Sequence, residues 1–241
     1  MILVTGCNQR YLGRIMPYLD TLRMYADFPV HLITVGFEAD ANHIRSLPLS
    51  REQNAGAPPE TESIQHGSFL QVVKCKPEEV IIYTDGDFGM QRRMDDSERE
   101  YLDIKDNQVV IGYNFGPQST LINDAHLLGA YRGVESLPLE WGEIVNTAQD
   151  WNAGFMAMNR RTWARLYRAY MLDWERVCGT FQHQARQQWL ISYEIAALGL
   201  DVKICPWSIH AHGHGGLKPG MEHRSDGLYA DGKLALFRHY L

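Results

Sequence analysis

Val80-Ile81-Ile82-Tyr83 runs directly into Thr84-Asp85-Gly86-Asp87. The first four residues are apolar at every position, so a strand here would be covered on both faces and would lie inside a sheet. The four that follow are polar and turn-prone. Open α/β sheets bind ligands beyond the carboxyl ends of their strands, which is where this order of residues puts two carboxylates. Gly86 lets the backbone turn sharply, so Asp85 and Asp87 can converge on one hard cation. Held close without a cation, the two would repel each other. The alternative is a surface turn, since Asp and Gly are ordinary turn residues; the apolar strand in front of them favours the metal reading.

Toward the N-terminus, residues 2–5 read as a first strand rather than a signal peptide, because the run is short and no basic segment precedes it. Residues 14–25 read as a helix, with Ile15, Tyr18, Leu19, Leu22 and Tyr25 at helical spacing, and 31–35 as a second strand closed by Gly36. Strand, helix, strand opens a βαβ unit, so parallel pairing and a right-handed crossover are expected. Residues 46–62, with Pro48, Gly56, Pro58 and Pro59, read as a mobile loop, followed by a short helix around Phe69, Leu70 and Val73.

Toward the C-terminus, 109–112 reads as a strand, 115–140 as an irregular layer with a short helix, and 155–158 as another strand. Residues 161–174 form an amphipathic helix with Trp163, Leu166, Tyr167, Tyr170, Met171 and Trp174 on one stripe. A further helix is expected over 183–198, a last strand over 202–205, and a His- and Gly-rich loop from 210 onward. No repeat and no dividing linker interrupts the pattern. It predicts an α/β fold, a single domain over 1–241 with a mostly parallel central sheet flanked by helices.

Composition narrows the function. The 241 residues are 45% hydrophobic and 22% charged, with a formal net charge of −6. An acidic balance argues against a generic nucleic-acid binder. It leaves room for a small anionic ligand, because a bound metal reverses the local field. Cys7, Cys75, Cys178 and Cys205 form no CxxC pair, which argues against a zinc ribbon and a dense disulfide framework. No apolar run approaches the length of a transmembrane helix, so a cytoplasmic protein is expected, with attachment to a membrane through a partner left open.

Three further constellations bear on chemistry. His210-Ala211-His212-Gly213-His214-Gly215-Gly216-Leu217-Lys218-Pro219 combines imidazoles that suit Mn²⁺-like ions, glycines that let a backbone approach phosphate, and a lysine that neutralises phosphate charge. The same stretch also reads as a flexible loop, or as a zinc site built from His210, His212, His214 and His223. Asp150-Trp151-Asn152-Ala153-Gly154 suits recognition of sugar hydroxyls, or is a turn before a strand. Thr5, Cys7, Asn8 and Tyr11 follow the first strand, where backbone groups can read a base edge and Tyr11 can stack on it, while Cys7 also reads as a small core residue. No G-x-G-x-x-G or Walker lysine occurs, so neither a dinucleotide fold nor a P-loop is supported.

In order and spacing these segments resemble the GT-A-fold glycosyltransferases, and within them family 8, the glycogenin and galactinol synthase type. Thr5-Gly6-Cys7-Asn8 with Tyr11 is similar to that family's base-binding first strand, Asp85-Gly86-Asp87 to its DxD motif, and Asn152-Ala153-Gly154 to its NAG segment. His212, Gly215, Lys218 and Pro219 match its H-x-x-G-x-x-K-P. The resemblance implies a retaining transfer of a sugar from a nucleoside-diphosphate sugar, expected to be a UDP-sugar, to a glycan, lipid-linked or small-molecule acceptor. It implies Mn²⁺ or Mg²⁺ held by Asp85, Asp87 and His212. Thr5, Cys7, Asn8, Tyr11, Asp85, Gly86, Gly215 and Lys218 would contact the nucleotide, and Asp150, Asn152 and Gln188 would stand at the reacting sugar. Residues 1–115 would then be the nucleotide-binding part, and 116–241 the donor-sugar and acceptor part. Two positions depart from the pattern: Gly220 stands where a Trp often follows Lys-Pro, and Gln187-Gln188 where the family often carries Asp-Gln. Rival readings are a sugar-nucleotidyltransferase, disfavoured by the single glycine in Thr5-Gly6-Cys7-Asn8-Gln9-Arg10, a non-catalytic nucleotide-sugar or glycan binder, and a zinc module.

Overall fold

The computed structural model describes residues 1–39, 44–50, 52–54, 66–114, 117–122, 141–180, 186–211 and 217–239, without the side chains of residues 45, 175–180 and 186. β1 (Ile2–Asn8) passes through a 3-10 turn (Gln9–Tyr11) into α1 (Leu12–Tyr25) and returns as β2 (Val30–Val35), parallel to β1. The expected βαβ unit is therefore present. β3 (Arg45–Leu49) adds in parallel to β2, with Pro48 opposite Thr34. This corrects the loop expected to begin at 46. β3 is the edge of the sheet, and an edge strand tolerates a proline that has no N–H to give. Of the remaining loop expectation, residues 51 and 55–65 lie outside the described residues.

A 3-10 turn (Ser68–Gln71) replaces the short helix expected there. Then come β4 (Val80–Thr84), β5 (Phe88–Met90), α2 (Asp96–Tyr101), β6 (Gln108–Tyr113), α3 (Gly142–Thr147), β7 (Trp151–Asn159), α4 (Arg160–Thr180), α5 (Arg186–Ala197) and β8 (Asp201–Ile204). Of the irregular layer expected over 115–140, residues 115–116 and 123–140 lie outside the described residues. Seven strands form one sheet in the order β3-β2-β1-β4-β7-β6-β8. β7 runs antiparallel to β4 and β6, and the other neighbouring pairs are parallel. The fold is thus α/β with a mostly parallel central sheet drawing strands from both halves of the sequence.

β4 is buried at all its positions, as its apolar run requires. Ile81 and Tyr83 join Met156 and Met158 on one face of the sheet, in a core shared with Trp163, Leu166 and Tyr170 of α4 and with Leu190 and Ile191 of α5. Ile82 joins Leu3, Cys7 and Phe155 on the other face, with Ile15, Tyr18, Leu19 and Leu22 of α1. Successive strand residues point to opposite faces, so one run of aliphatic residues serves both cores. Trp163 also donates its indole N–H to the Ile81 carbonyl at 3.0 Å, which satisfies the one polar atom of a fully buried ring.

Beyond β8 the structure departs from the expected loop. β9 (His210–Ala211), β10 (Met221–Arg224), β11 (Gly227–Ala230), β12 (Lys233–Leu234) and β13 (Phe237–His239) are all short strands. β10, β11 and β12 form an antiparallel sheet in which Asp231 and Gly232, at φ 51° and 78°, make the two-residue turn between Ala230 and Lys233. Asp-Gly is the residue pair that such a turn favours. β13 lies between β5 and β9, so the end of the chain is stitched to the segment that follows Asp85-Gly86-Asp87. Lys233 Nζ, 2.6 Å from Asp95 and 2.9 Å from Glu98, and Arg92, also paired with Glu98, pin this C-terminal layer to α2. Among the described residues, no helix is long and apolar enough to cross a membrane.

Candidate active site

Asp85 leaves β4 at its carboxyl end, and two elements fix it. Its backbone N–H donates to the Gly154 carbonyl at 2.9 Å, continuing the β4–β7 ladder, and the Tyr83 hydroxyl donates to its Oδ1 at 3.0 Å. Burial, and then the adjacent Asp85 charge, hold the Tyr83 phenol well above its ordinary range, so it remains a proton donor. Gly86 packs against Ile15 of α1 and the Gly6 carbonyl, which brings the Asp-Gly-Asp turn beside the end of β1. Asp87 is exposed and reaches His239, whose Nε2 lies 3.0 Å from Asp87 Oδ2.

The charges crowd one another. Burial pushes the Asp85 carboxyl up, and the Asp87 charge pushes it further, against the opposing pull of His66 and His239. Burial pulls the His239 imidazole down, but its bond to Asp87, and the charges of Asp87 and Asp85, leave it above its ordinary value. Two carboxylates at a strand end, one of them reluctant to ionise because of burial and then of the other's charge, fit a divalent cation, which would relieve both. Among the described residues no group of three or more His, Cys, Asp or Glu side chains is gathered as a cation cage. His212, the expected third ligand, lies outside the described residues, as do His214 and Gly215. Of the remaining members of the zinc alternative, His210 is buried between the rings of Phe88 and Phe155, at 4.9 and 5.2 Å, and His223 is exposed on β10.

The Asn152-Ala153-Gly154 segment proves to be the inner neighbour of Asp85 rather than a turn. β7 begins at Trp151, ahead of the expected 155, and a register shift between Ile111 and Gly112 sets Asn152 opposite Gly112. Asn152 Oδ1 accepts the Gly154 N–H at 3.0 Å. A Cβ on Gly154 would stand 2.9 Å from Asp85 Oδ2 and 3.0 Å from Asn152 Oδ1, so only glycine lets that carboxylate lie against the strand. Gly154→Ala should therefore displace the Asp85 carboxylate, an end that can swing away, without unfolding the protein. In a transfer assay kcat is expected to fall roughly 10–100-fold, since displacements of about 1 Å can have that effect, with the melting temperature little changed. Unchanged kcat would show that the Asp85 position is not critical.

The other expected residues fall as follows. Gln188 of α5 is half-buried, and its Oε1 accepts the Ala153 N–H at 3.4 Å, so it does reach the same segment. Asp150 is buried, and its Oδ2 accepts from Asn114 Nδ2 at 2.7 Å, a link that braces the ends of β6 and β7. Thr5 and Cys7 point into the core beneath α1, and burial pushes the Cys7 thiol up to about 12. Their side chains are thus withdrawn, and what they present to a ligand is backbone. Asn8 Oδ1 caps the 3-10 turn through the Tyr11 N–H at 3.1 Å, leaving the Tyr11 ring exposed at the strand end with the Arg14 guanidinium 5.1 Å from its centre. Lys218 is half-buried, and its carbonyl accepts the Met221 N–H.

Sequence reasoning missed three contributors. His239 is brought to Asp87 by the pairing of β13 with β5, which sets His239 opposite Phe88. Tyr83 closes the apolar run of β4, and nothing in that run marks its hydroxyl as the partner of Asp85. His66 is buried beside Tyr83, with ring centres 4.8 Å apart, and contacts Gln187 and Ala153. No motif marks either histidine; the Asp231-Gly232 turn signal could have exposed the hairpin ahead of His239.

No family model matches the chain, and no curated protein sequence matches it. Solved structures do. The galactosyltransferase LgtC, bound to donor and acceptor sugar analogs, is similar with a TM-score of 0.61 at 13% identity, covering 100% of this chain and 87% of that one. An active-site mutant of LgtC, with a glutamine replaced by glutamate, gives 0.60 at 13% identity over the same shares. Mouse xyloside xylosyltransferase 1, in its apo form, gives 0.55 at 11% identity, covering 100% of this chain and 98% of that one. The chain therefore has the GT-A fold of these glycosyltransferases.

Proposed function

We propose that this protein is a metal-dependent glycosyltransferase of the family 8 type, moving a sugar from a nucleoside-diphosphate sugar, with UDP as the carrier. The observation that carries the reading is the pair Asp85 and Asp87 at the end of β4, with Asp85 seated against Gly154, in a fold shared with sugar-transferring enzymes. Asp85, Asp87 and His212 would hold Mn²⁺ or Mg²⁺. Such a cation supplies positive charge to the departing diphosphate.

The chain's own residues supply the rest. Tyr83 and Gly154 orient Asp85. Tyr11 and the backbone from Thr5 to Asn8 form the edge on which a base is read. Lys218 and Gly215 place positive charge and close backbone near the diphosphate, and a preorganised donor of this kind acts where charge develops. Asn152 and Gln188 flank the donor sugar. An amide is a weak nucleophile, so Gln188 serves to orient the sugar while the acceptor attacks from the face of the leaving phosphate, with retained configuration.

The test is a screen of UDP-, GDP- and CDP-sugars for hydrolysis and thermal stabilisation, with and without Mn²⁺. Mn²⁺-dependent turnover of a UDP-sugar, abolished in Asp87→Ala, and a first product with retained configuration by proton NMR are expected. Silence towards every donor would reject catalysis and leave a binding role on this fold.

A further inference from the structure

Ala153 is clamped on both sides of its peptide units. Its N–H donates to Gln188 Oε1 at 3.4 Å, and its carbonyl accepts from His66 Nε2 at 3.1 Å. The other ring nitrogen of His66 lies 3.1 Å from the side-chain amide of Gln187. Two consecutive glutamines on α5 therefore close a ring through one histidine onto one strand residue. The next residue, Gly154, receives the Asp85 N–H and lies against its carboxylate. The His66 ring also packs on Tyr83, whose hydroxyl holds Asp85 Oδ1. His66 and Gln187 are 7% and 6% exposed, so the link is shielded from water.

The chemistry of the ring constrains this link. A carbonyl only accepts, so the Ala153 bond requires a proton on Nε2. A neutral ring would then need the Gln187 NH₂ at Nδ1, whereas a charged ring donates from Nδ1 to Gln187 Oε1, the atom that the structure sets 3.1 Å away. In either state His66 bridges Gln187 to Ala153, whose N–H meets Gln188 and whose neighbour is Gly154.

We propose that His66 is a positioning residue that locks the Gln187-Gln188 end of α5 to the Asp85-bearing end of the sheet. It stands outside every motif that points to the donor site. The proposal deepens the transferase reading and rests on it for its catalytic consequence; the link itself can be measured without turnover.

Three variants test it: His66→Ala, His66→Gln, whose amide can still donate to the Ala153 carbonyl, and Gln187→Leu, which leaves the histidine in place. Backbone amide exchange is expected to quicken around residues 83–87, 151–155 and 187–189 in His66→Ala, to recover in His66→Gln, and to stay unchanged in β1 and β2. In the transfer assay, kcat should fall about 10–100-fold with donor KM changed less than about threefold, the pattern of lost positioning rather than lost ground-state binding. Gln187→Leu should show the smaller version of the same split, and it keeps the test open if His66→Ala fails to fold. Long-range ¹H–¹⁵N spectra should show the His66 proton on Nε2. Unaltered exchange near Asp85, or kcat and KM unmoved in active variants, would overturn the proposal. A wild-type protein that turns over no donor would instead overturn the transferase reading, and exchange alone would then decide the link.

Discussion

Asp85→Asn is expected to reduce sugar transfer by roughly 10²–10³-fold, the scale on which removal of one group stabilising transition-state charge is felt, while the metal-free protein melts at the same temperature or higher. The two halves have one cause. The Asp85 carboxyl is raised above its ordinary range by burial and by Asp87, so its ionised form is a burden on the folded state when no cation offsets it. Asparagine keeps an oxygen for the Tyr83 hydroxyl and leaves the backbone bond to Gly154 untouched, so the local frame persists. It removes the charge that repels Asp87 and that a cation needs. Sites built for function are often strained in this way, and relieving the strain gains stability at the expense of activity. Melting with and without Mn²⁺ and donor, alongside kcat, checks both halves. The wild type should gain stability from the ligands by mass action, and the variant should not. A variant that melts well below the wild type without metal would mean that Asp85 is structural.

The parts of this site legible in the sequence are those in which one short segment carries its own geometry. Val80 to Asp87 announces a buried strand ending on carboxylates because apolarity on both faces and a following turn are local properties. Asn152-Ala153-Gly154 is visible for a related reason, since Gly154 is needed where a carboxylate touches backbone. His239 and His66 were not legible. Their roles depend on the pairing of β13 with β5 and on the packing of a segment against α5, contacts that span 152 and 121 positions between partners. Strands as short as Lys233–Leu234 carry no period to read, so the C-terminal layer passed for loop although its Asp-Gly turn was in view. Pro48 misled in the opposite sense, because its usual meaning as a strand breaker does not hold at a sheet edge.

Away from the site, Glu194 should make the protein lose stability as pH rises, and Glu194→Gln should abolish that loss. Glu194 lies on α5 and is 2% exposed, with its Oε1 lacking a hydrogen-bond partner among the described residues. Burial pushes its carboxyl up from 4.5, and a hydrogen bond to Asp173 of α4 and the charge of Asp173 push it further, to about 8. Below about 4.5 the group is protonated whether the chain is folded or not, and it contributes no pH dependence. Between 4.5 and 8 the unfolded chain releases the proton while the folded chain retains it, so the unfolded state binds fewer protons and folding stability declines as pH rises. Above 8 both states are ionised and the decline levels off. A shift of this size corresponds to a loss on the order of 5 kcal/mol across the window, or roughly 10–20 °C in melting temperature for a chain of this length. Glutamine keeps a donor for Asp173 and never ionises. Its melting temperature should therefore exceed that of the wild type at pH 8 and converge with it near pH 5. Asp173→Asn should make the decline smaller and end it at lower pH, because removing the like charge lets Glu194 ionise sooner in the folded protein. Parallel curves for wild type and Glu194→Gln from pH 5 to 8.5 would show that Glu194 ionises as readily in the folded protein as in the unfolded chain.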